Sequence, residues 1–113
     1  MTRRPRYNPK PDDNHALVPQ FIDAVGGTYR GFPLDCMDIS KTGGRRVDWI
    51  IAVGPINVFV EIKTPEAYAS QDCGLTEGER EFFATWPGRK AIVESYERLR
   101  SLIDCIADEL EDA

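Results

Sequence analysis

The chain has 113 residues, of which 42% are hydrophobic and 29% are charged, and its formal net charge is −5. These values are typical of one soluble globular domain, and no apolar run reaches the roughly 20 residues of a membrane-spanning helix. We therefore expect a cytoplasmic protein. The spacing of Cys36, Cys73 and Cys105 fits neither a disulfide framework nor a zinc site. Net acidity disfavours a protein that coats nucleic acid, but it leaves a local nucleic-acid site open.

Residues 1–12 are predicted to be a flexible basic arm, and residues 13–113 a single domain. The first ten residues include four basic side chains and no acid. Three prolines and few apolar residues cannot build a core in this segment. A solvated tail and a DNA-contacting arm are both compatible with this composition.

An amphipathic helix is predicted over residues 14–25, where apolar residues recur at helical spacing: Leu17, Val18, Phe21, Ile22 and Val25. Asp13 or Asn14 is the expected N-cap, and Gly26-Gly27 is the expected end. Pro19 is tolerated only in the first turn of a helix, so this helix should start late or bend.

The remaining predicted elements, in chain order, are a strand within 28–39, strands over 47–53 and 56–63 that form a hairpin, a polar loop up to residue 74, a helix from residue 75, a strand at 91–93 and a helix from residue 95. Thr76 and Glu79 have the spacing of a capping box. Phe82, Phe83 and Trp86 are predicted to be the buried face of their helix rather than base-stacking surfaces. The order of elements predicts an α/β fold with a small mixed sheet flanked by helices and a C-terminal helix.

The second strand of the hairpin has two chemically different faces. Alternation places four apolar side chains on one face, namely Ile56, Val58, Val60 and Ile62. Glu61 and Lys63 are then neighbours on the other face. If the turn pairs Val53 with Ile56, the same register puts Asp48 opposite Glu61, with the side-chain roots about 5 Å apart.

Two carboxylates opposed across a sheet repel each other unless a cation lies between them. A divalent ion supplies that charge, and hard oxygen ligands at this spacing favour Mg²⁺ or Mn²⁺. Such an ion makes water a usable nucleophile near neutral pH, and Lys63 would orient that water and stabilise the transition state. A structural ion pair of Lys63 with Asp48 and Glu61 is the competing interpretation.

The arrangement of Asp48, with Glu61-Ile62-Lys63 at the end of the next strand, resembles the PD-(D/E)xK nuclease signature. Residues 43–48, 75–82 and 86–88 are similar to segments of VRR-NUC-type nucleases, most closely those of small phage and prophage members. The resemblance spans residues 13–103. It implies the restriction-endonuclease-like αβββαβ core and a metal-dependent DNA endonuclease, with branched or junction DNA as the expected substrate class.

By the same resemblance, Asp48, Glu61 and the backbone carbonyl of Ile62 would bind Mg²⁺ or Mn²⁺, and Lys63 would be the catalytic lysine. Arg45 and Arg46 precede Asp48 and are predicted to contact substrate phosphate, with a solvated basic loop as the alternative. A homodimer would suit symmetric junctions, because two sites related by a twofold axis can cut paired strands.

Three positions depart from the family's pattern. Val47 stands in place of the usual proline, and Glu79 stands where a glutamine is common. Leu17 occupies the first-helix position that commonly carries a metal-binding acid, and Asp13, His15 or Gln20 are the candidates to replace it. For His15, the only histidine of the chain, a capping or surface role is the competing expectation.

Three functional hypotheses therefore follow from the sequence. The leading one is a metal-dependent DNA endonuclease, which the set Asp48, Glu61 and Lys63 favours. The second is a catalytically degenerate nuclease-fold module that binds nucleic acid or a protein partner without cleaving, which Leu17 and the net acidity favour. The third is an interaction protein whose acidic terminal helix binds a partner.

Overall fold

A five-stranded mixed sheet forms the centre of the molecule. The computed structural model describes residues 13–41 and 47–113. The strands lie across the sheet in chain order: β1 (Thr28–Tyr29), β2 (Phe32–Asp38), β3 (Trp49–Val53), β4 (Ile56–Ile62) and β5 (Lys90–Val93). Neighbouring strands are antiparallel except β4 and β5, which are parallel. The predicted α/β class with a small mixed sheet is confirmed, whereas the predicted arm over residues 1–12 lies outside the described residues.

Helices flank this sheet: α1 (Leu17–Ala24), α2 (Pro65–Tyr68), α3 (Glu77–Thr85) and α4 (Tyr96–Asp112). α1 and α4 cover one face of the sheet, where Phe21, Ile51, Leu99 and Ile103 are fully buried in a single core. α3 packs on the opposite face. No helix within 13–41 or 47–113 is long and apolar enough to cross a membrane.

The first helix begins later than its apolar spacing predicts. A 3₁₀ turn (Asp13–Ala16) precedes α1, so Pro19 lies in the first α-helical turn, where its missing N–H breaks no helical bond. The expected cap is wrong, because no side chain caps α1. Asn14 instead donates from Nδ2 to the carbonyls of Lys63 and Glu94, at 3.0 and 2.9 Å. These two bonds tie the turn to the ends of β4 and β5.

Two further predictions need correction. The segment predicted as a polar loop before α3 contains the helix α2 and a turn at Gln71–Gly74, because Thr64 caps α2 by accepting a hydrogen bond from the Ala67 N–H. The predicted buried aromatic face is only partly covered, since Trp86 is 40% exposed and Phe82 and Phe83 are half-buried. The Trp86 indole stacks on Phe82, at the rim of the helix–sheet contact.

The strand count also differs, because residues 28–39, predicted to contain one strand, form the two strands β1 and β2 around a turn in which Arg30 and Gly31 have positive φ. The other predicted helices and strands are present, with boundaries shifted by a few residues.

Candidate active site

The β3–β4 hairpin brings the two predicted carboxylates together. Val53 pairs with Ile56 across the turn, as the sequence predicts, and the same register leads to Asp48 and Glu61 just beyond the last paired residues. Asp48 Oδ2 accepts a hydrogen bond from the Ile62 N–H at 2.9 Å. The sequence-derived register is therefore confirmed, and Asp48 is fixed against the end of β4.

The two faces of β4 differ as predicted. Val58, Val60 and Ile62 are buried in the core beneath α1 and α4. Glu61 and Lys63 are on the opposite face, and Glu61 is nevertheless only 3% exposed. A carboxylate this deeply buried is costly unless it is paired or protonated.

Lys63 is held between two carboxyl groups. Its Nζ lies 3.4 Å from Glu61 Oε2 and 3.0 Å from Glu79 Oε1. Glu79 Oε1 also accepts from the Thr76 N–H at 2.8 Å, which completes the predicted capping box of α3. The same carboxylate therefore begins a helix and positions the predicted catalytic lysine. We call Lys63 and Glu79 the buried flank of the site.

Glu61, Lys63 and Glu79 shift one another's pKa values. Burial, the hydrogen bond with Glu79 and the charge of Asp48 together raise the pKa of Glu61 to about 9. Burial works to lower the pKa of Lys63, but Glu79 and Glu61 outweigh it and the pKa is raised. Burial works to raise the pKa of Glu79, but its hydrogen bonds outweigh it and the pKa is lowered. At neutral pH, Lys63 and Glu79 are thus ionised while Glu61 retains a proton in the metal-free protein.

His15 lies on the other side of Asp48. Its Nδ1 is 3.8 Å from Asp48 Oδ1, and its Nε2 is 2.9 Å from Asp38 Oδ2. Ser40 donates to Asp38 Oδ1 from both its amide and its hydroxyl, at 2.9 and 2.6 Å. His15 therefore caps no helix, and its partly exposed side chain is held by Asp38. We call His15 and Asp38 the open flank, because their side chains are 28% and 41% exposed.

The other candidates for a first-helix ligand are not brought to the site. Leu17 packs against the hydrophobic core, and Gln20 is exposed. The side chain of Asp13 lies outside the described residues, as do Arg45 and Arg46, the predicted phosphate contacts.

The oxygen atoms of Asp48, Glu61 and Ile62 are the ones that could bind a divalent ion. Glu61 Oε1 is buried and has no hydrogen-bond partner among the described residues. Ile62 directs its N–H toward Asp48, and the carbonyl of a strand residue points to the same neighbour as its amide. An orphaned carboxyl oxygen and a second carboxylate therefore lie at neighbouring strand ends, and the Ile62 carbonyl is expected to point toward the same neighbour; oxygen donors of this kind suit a hard cation. Over the described ranges, no group of three His, Cys, Asp or Glu side chains is arranged to hold a metal ion; the predicted set contains only two such side chains.

Sequence reasoning missed two contributors. Asp38 was not considered, although it ends the strand that pairs with β3 and pairs directly with Trp49. Glu79 was predicted to complete a capping box and to depart from the family's pattern, but not to contact the catalytic lysine, yet it binds Lys63 directly. The capping-box spacing was a signal that Glu79 points back toward the start of α3, where Lys63 lies.

Searches of protein-family models, of curated proteins and of solved structures each found no match to this chain. A functional assignment therefore rests on the geometry of the site.

Proposed function

We propose that this protein is a Mg²⁺- or Mn²⁺-dependent endonuclease that hydrolyses DNA phosphodiester bonds, with a PD-(D/E)xK-like core. The observation that carries the proposal is the buried Oε1 of Glu61, which has no hydrogen-bond partner in the part of the chain that the structure describes and lies beside Asp48 and Lys63 at the end of one hairpin. A protein that uses Glu61 only for structure would pair both of its oxygens, since a buried polar atom without a partner costs about 1–3 kcal/mol.

Asp48, Glu61 and the carbonyl of Ile62 are the groups that would hold the ion. A divalent ion supplies a water nucleophile near neutral pH and offsets charge on the phosphate. Lys63 remains an ammonium between two carboxyl groups, so it acts as a donor to the attacking water or to a non-bridging phosphate oxygen. Glu79 is a positioning residue, because it holds Lys63 without facing the substrate itself.

Branched or junction DNA is the substrate that we propose, in the cytoplasm of a bacterial or phage-infected cell. Phe59 is two residues before Glu61 on the same face of β4, and it contacts Phe82 and the exposed Trp86 edge to face. Aromatic surfaces stack unpaired bases in a sequence-tolerant way. This surface beside the carboxylates favours substrates with unpaired nucleotides over fully paired duplex. A homodimer that cuts symmetric junctions is part of the same hypothesis.

A non-cleaving, nuclease-like binding module is the second candidate. Two observations favour this candidate. Within 13–41 and 47–113 no three side chains form a metal-binding cluster, and Lys63 is already ion-paired. Such a module would bind nucleic acid or a protein partner through the same face, and the carboxylates would serve only to hold Lys63.

A cleavage assay separates the two candidates. The purified chain is incubated with supercoiled plasmid, single strands, flaps and four-way junctions in Mg²⁺, Mn²⁺ or EDTA. We expect metal-dependent cutting that Asp48→Asn and Lys63→Ala each reduce by about 10²–10³-fold. Asp112→Asn and Lys41→Ala make the same chemical changes at exposed positions to which no role in the proposed chemistry is given, and should cut normally. No metal-dependent cutting of any substrate would refute the nuclease, and binding without cutting would support the module.

A further inference from the structure

The outer face of the sheet, opposite α1 and α4, carries a groove that the proposed roles do not use. α3 covers β4 on this face through the contact of Phe82 with Phe59, whereas Met37 of β2 is 62% exposed. The groove crosses β2, β3 and β4 and has a volume of about 230 Å³. The residues that line it are Asp35, Cys36, Met37, Ile50, Ala52 and Asn57.

An apolar row connects this groove with the proposed active site. Met37 pairs with Ile50, and Ile50 pairs with Phe59, so that three apolar side chains lie side by side across the sheet. Ile50 is two residues along the chain from Asp48, which corresponds to roughly 7 Å in a strand. Phe59 in turn contacts the exposed Trp86. The groove is therefore continuous with the surface beside the carboxylate pair.

The floor of the groove is Ala52. Asp35 pairs with Ala52, and Ala52 pairs with Asn57, so a small side chain lies between two polar ones. Because neighbouring strands are about 4.8 Å apart, Asp35 and Asn57 form walls that are separated by roughly 10 Å. Asp35 Oδ1 accepts a hydrogen bond from the Cys36 N–H at 2.8 Å, which orients the carboxylate. A carboxylate oxygen accepts more than one hydrogen bond, so Asp35 can still accept from a ligand.

The size and the polar groups of the groove restrict what it can bind. Pockets for drug-sized molecules have volumes of roughly 300–1,000 Å³, so this smaller groove suits a single small planar group. Met37 and Ile50 offer apolar contact to such a group. Asp35 requires an N–H donor, and the Asn57 amide both donates and accepts. A second copy of the chain is disfavoured, because a twofold contact through this face would oppose two Asp35 carboxylates.

We propose that the groove binds an unpaired nucleobase with an exocyclic amino group, adenine or cytosine, and that Asp35 selects it. This inference rests on the proposed function, because continuity with the carboxylate pair favours a nucleobase over an arginine side chain of a protein partner. The carboxylate accepts from the amino group of cytosine or adenine, but it faces a carbonyl oxygen in thymine or uracil. Ala52 is four residues from Asp48, or roughly 13 Å, so the selected base belongs to a nucleotide near the cut rather than at it.

The test compares the binding of short single strands of deoxycytidine with that of deoxyuridine, whose bases differ in the amino group that Asp35 would accept from. Fluorescence anisotropy measures binding to the full chain in Ca²⁺, an oxygen-binding cation, and requires no cutting. Asp35→Asn keeps the shape of the side chain and an acceptor for the Cys36 N–H, but the new amide can also donate. Ala52→Leu fills the floor of the groove. Asp112→Asn makes the same change as Asp35→Asn at an exposed position of α4 and is the matched control.

We expect the wild-type protein to bind deoxycytidine strands about 10-fold more tightly than deoxyuridine strands. Asp35→Asn should abolish this preference, Ala52→Leu should abolish it and weaken binding of the deoxycytidine strands, and Asp112→Asn should change neither. Equal affinity for the two strands, or a preference that survives both groove substitutions, in a protein that still cuts DNA with Mg²⁺ or Mn²⁺ would overturn this inference and leave the proposed function standing. It would also make a protein partner the remaining candidate for the groove. Failure to bind any single strand together with failure to cut any DNA would overturn both.

Discussion

The two flanks of the Asp48–Glu61 pair differ in how deeply their ion pairs are buried. The buried flank joins Lys63 and Glu79 by charged hydrogen bonds beneath the first turn of α3, with both side chains less than 15% exposed. The open flank joins His15 and Asp38 at the edge of the sheet, and both are substantially exposed. The comparison indicates that the buried flank fixes the charges around the carboxylates, whereas the polar groups of the open flank remain accessible to solvent. Changes to the buried flank should therefore affect folding and activity together, whereas changes to the open flank should have little effect on folding.

The largest effect is expected from breaking the buried flank at Lys63. Lys63→Met retains the length of the side chain but removes the ammonium, so cleavage should fall about 10²–10³-fold. Initial rates on the best DNA substrate measure this. The exposed Lys41→Met is the matched control. A Lys63→Met protein that folds and cuts at the wild-type rate would show that the lysine is not part of the chemistry.

Glu79→Ala should destabilise the fold by about 2–4 kcal/mol, because it removes both the acceptor of the Thr76 N–H in the capping box and the partner of Lys63. Glu79→Gln keeps an acceptor for the Thr76 N–H and should lose less than half as much. Urea unfolding in the absence of metal gives both values. Equal losses in the two variants would mean that the carboxylate charge does not matter.

The metal-free protein should lose stability as the pH rises. The pKa of Glu61 is about 9 in the folded protein, against an ordinary glutamate value of 4.5, so the protonated carboxyl contributes fully below about pH 4.5. That contribution is lost progressively as pH rises toward 9. At pH 8.5, Glu61→Gln should be more stable than the wild type by about 2 kcal/mol, and added Mn²⁺ should stabilise only the wild type. Thermal unfolding between pH 5 and 9 measures both, and a flat difference between the two proteins across this range contradicts the burial argument.

The smallest effect on stability is expected at the open flank. Hydrogen bonds from Ser40 and His15 lower the pKa of Asp38 to about 2, so its contribution is present above about pH 4 and lost as pH falls toward 2. Asp38 is 41% exposed, and solvent screening should reduce the effect of Asp38→Asn to less than about 0.5 kcal/mol at neutral pH. Chemical denaturation provides the value. A loss comparable with that of Glu79→Ala would mean that the two flanks do not differ as described.

The hairpin could be predicted because its signals are local. The alternation of apolar residues along β4 identifies the core face, and the turn determines the register that opposes Asp48 to Glu61. The capping box of α3 is equally local, since Thr76 and Glu79 are three residues apart. For these residues the sequence alone predicts both the strand register and the helix start.

The partners of the carboxylates could not be predicted, because they are tertiary. Asp38 reaches His15 only because β2 lies beside β3 and the 3₁₀ turn before α1 lies across the end of the sheet. Glu79 reaches Lys63 only because α3 returns over β4. Trp86 follows a helical apolar pattern and yet remains at the rim, because α3 ends before its indole can be covered. Sequence spacing does not specify which elements become neighbours.

The central claim is that Asp48 and Glu61 form a metal site, and the position of Mn²⁺ in crystals of the protein tests it most directly. In crystals grown with millimolar Mn²⁺, the account predicts an anomalous-scattering peak about 2.1 Å from carboxylate oxygens of Asp48 and Glu61, absent in crystals of Asp48→Asn. Well-ordered Asp48 and Glu61 side chains without an anomalous peak between them, and with Glu61 still hydrogen-bonded to Glu79, would contradict this claim.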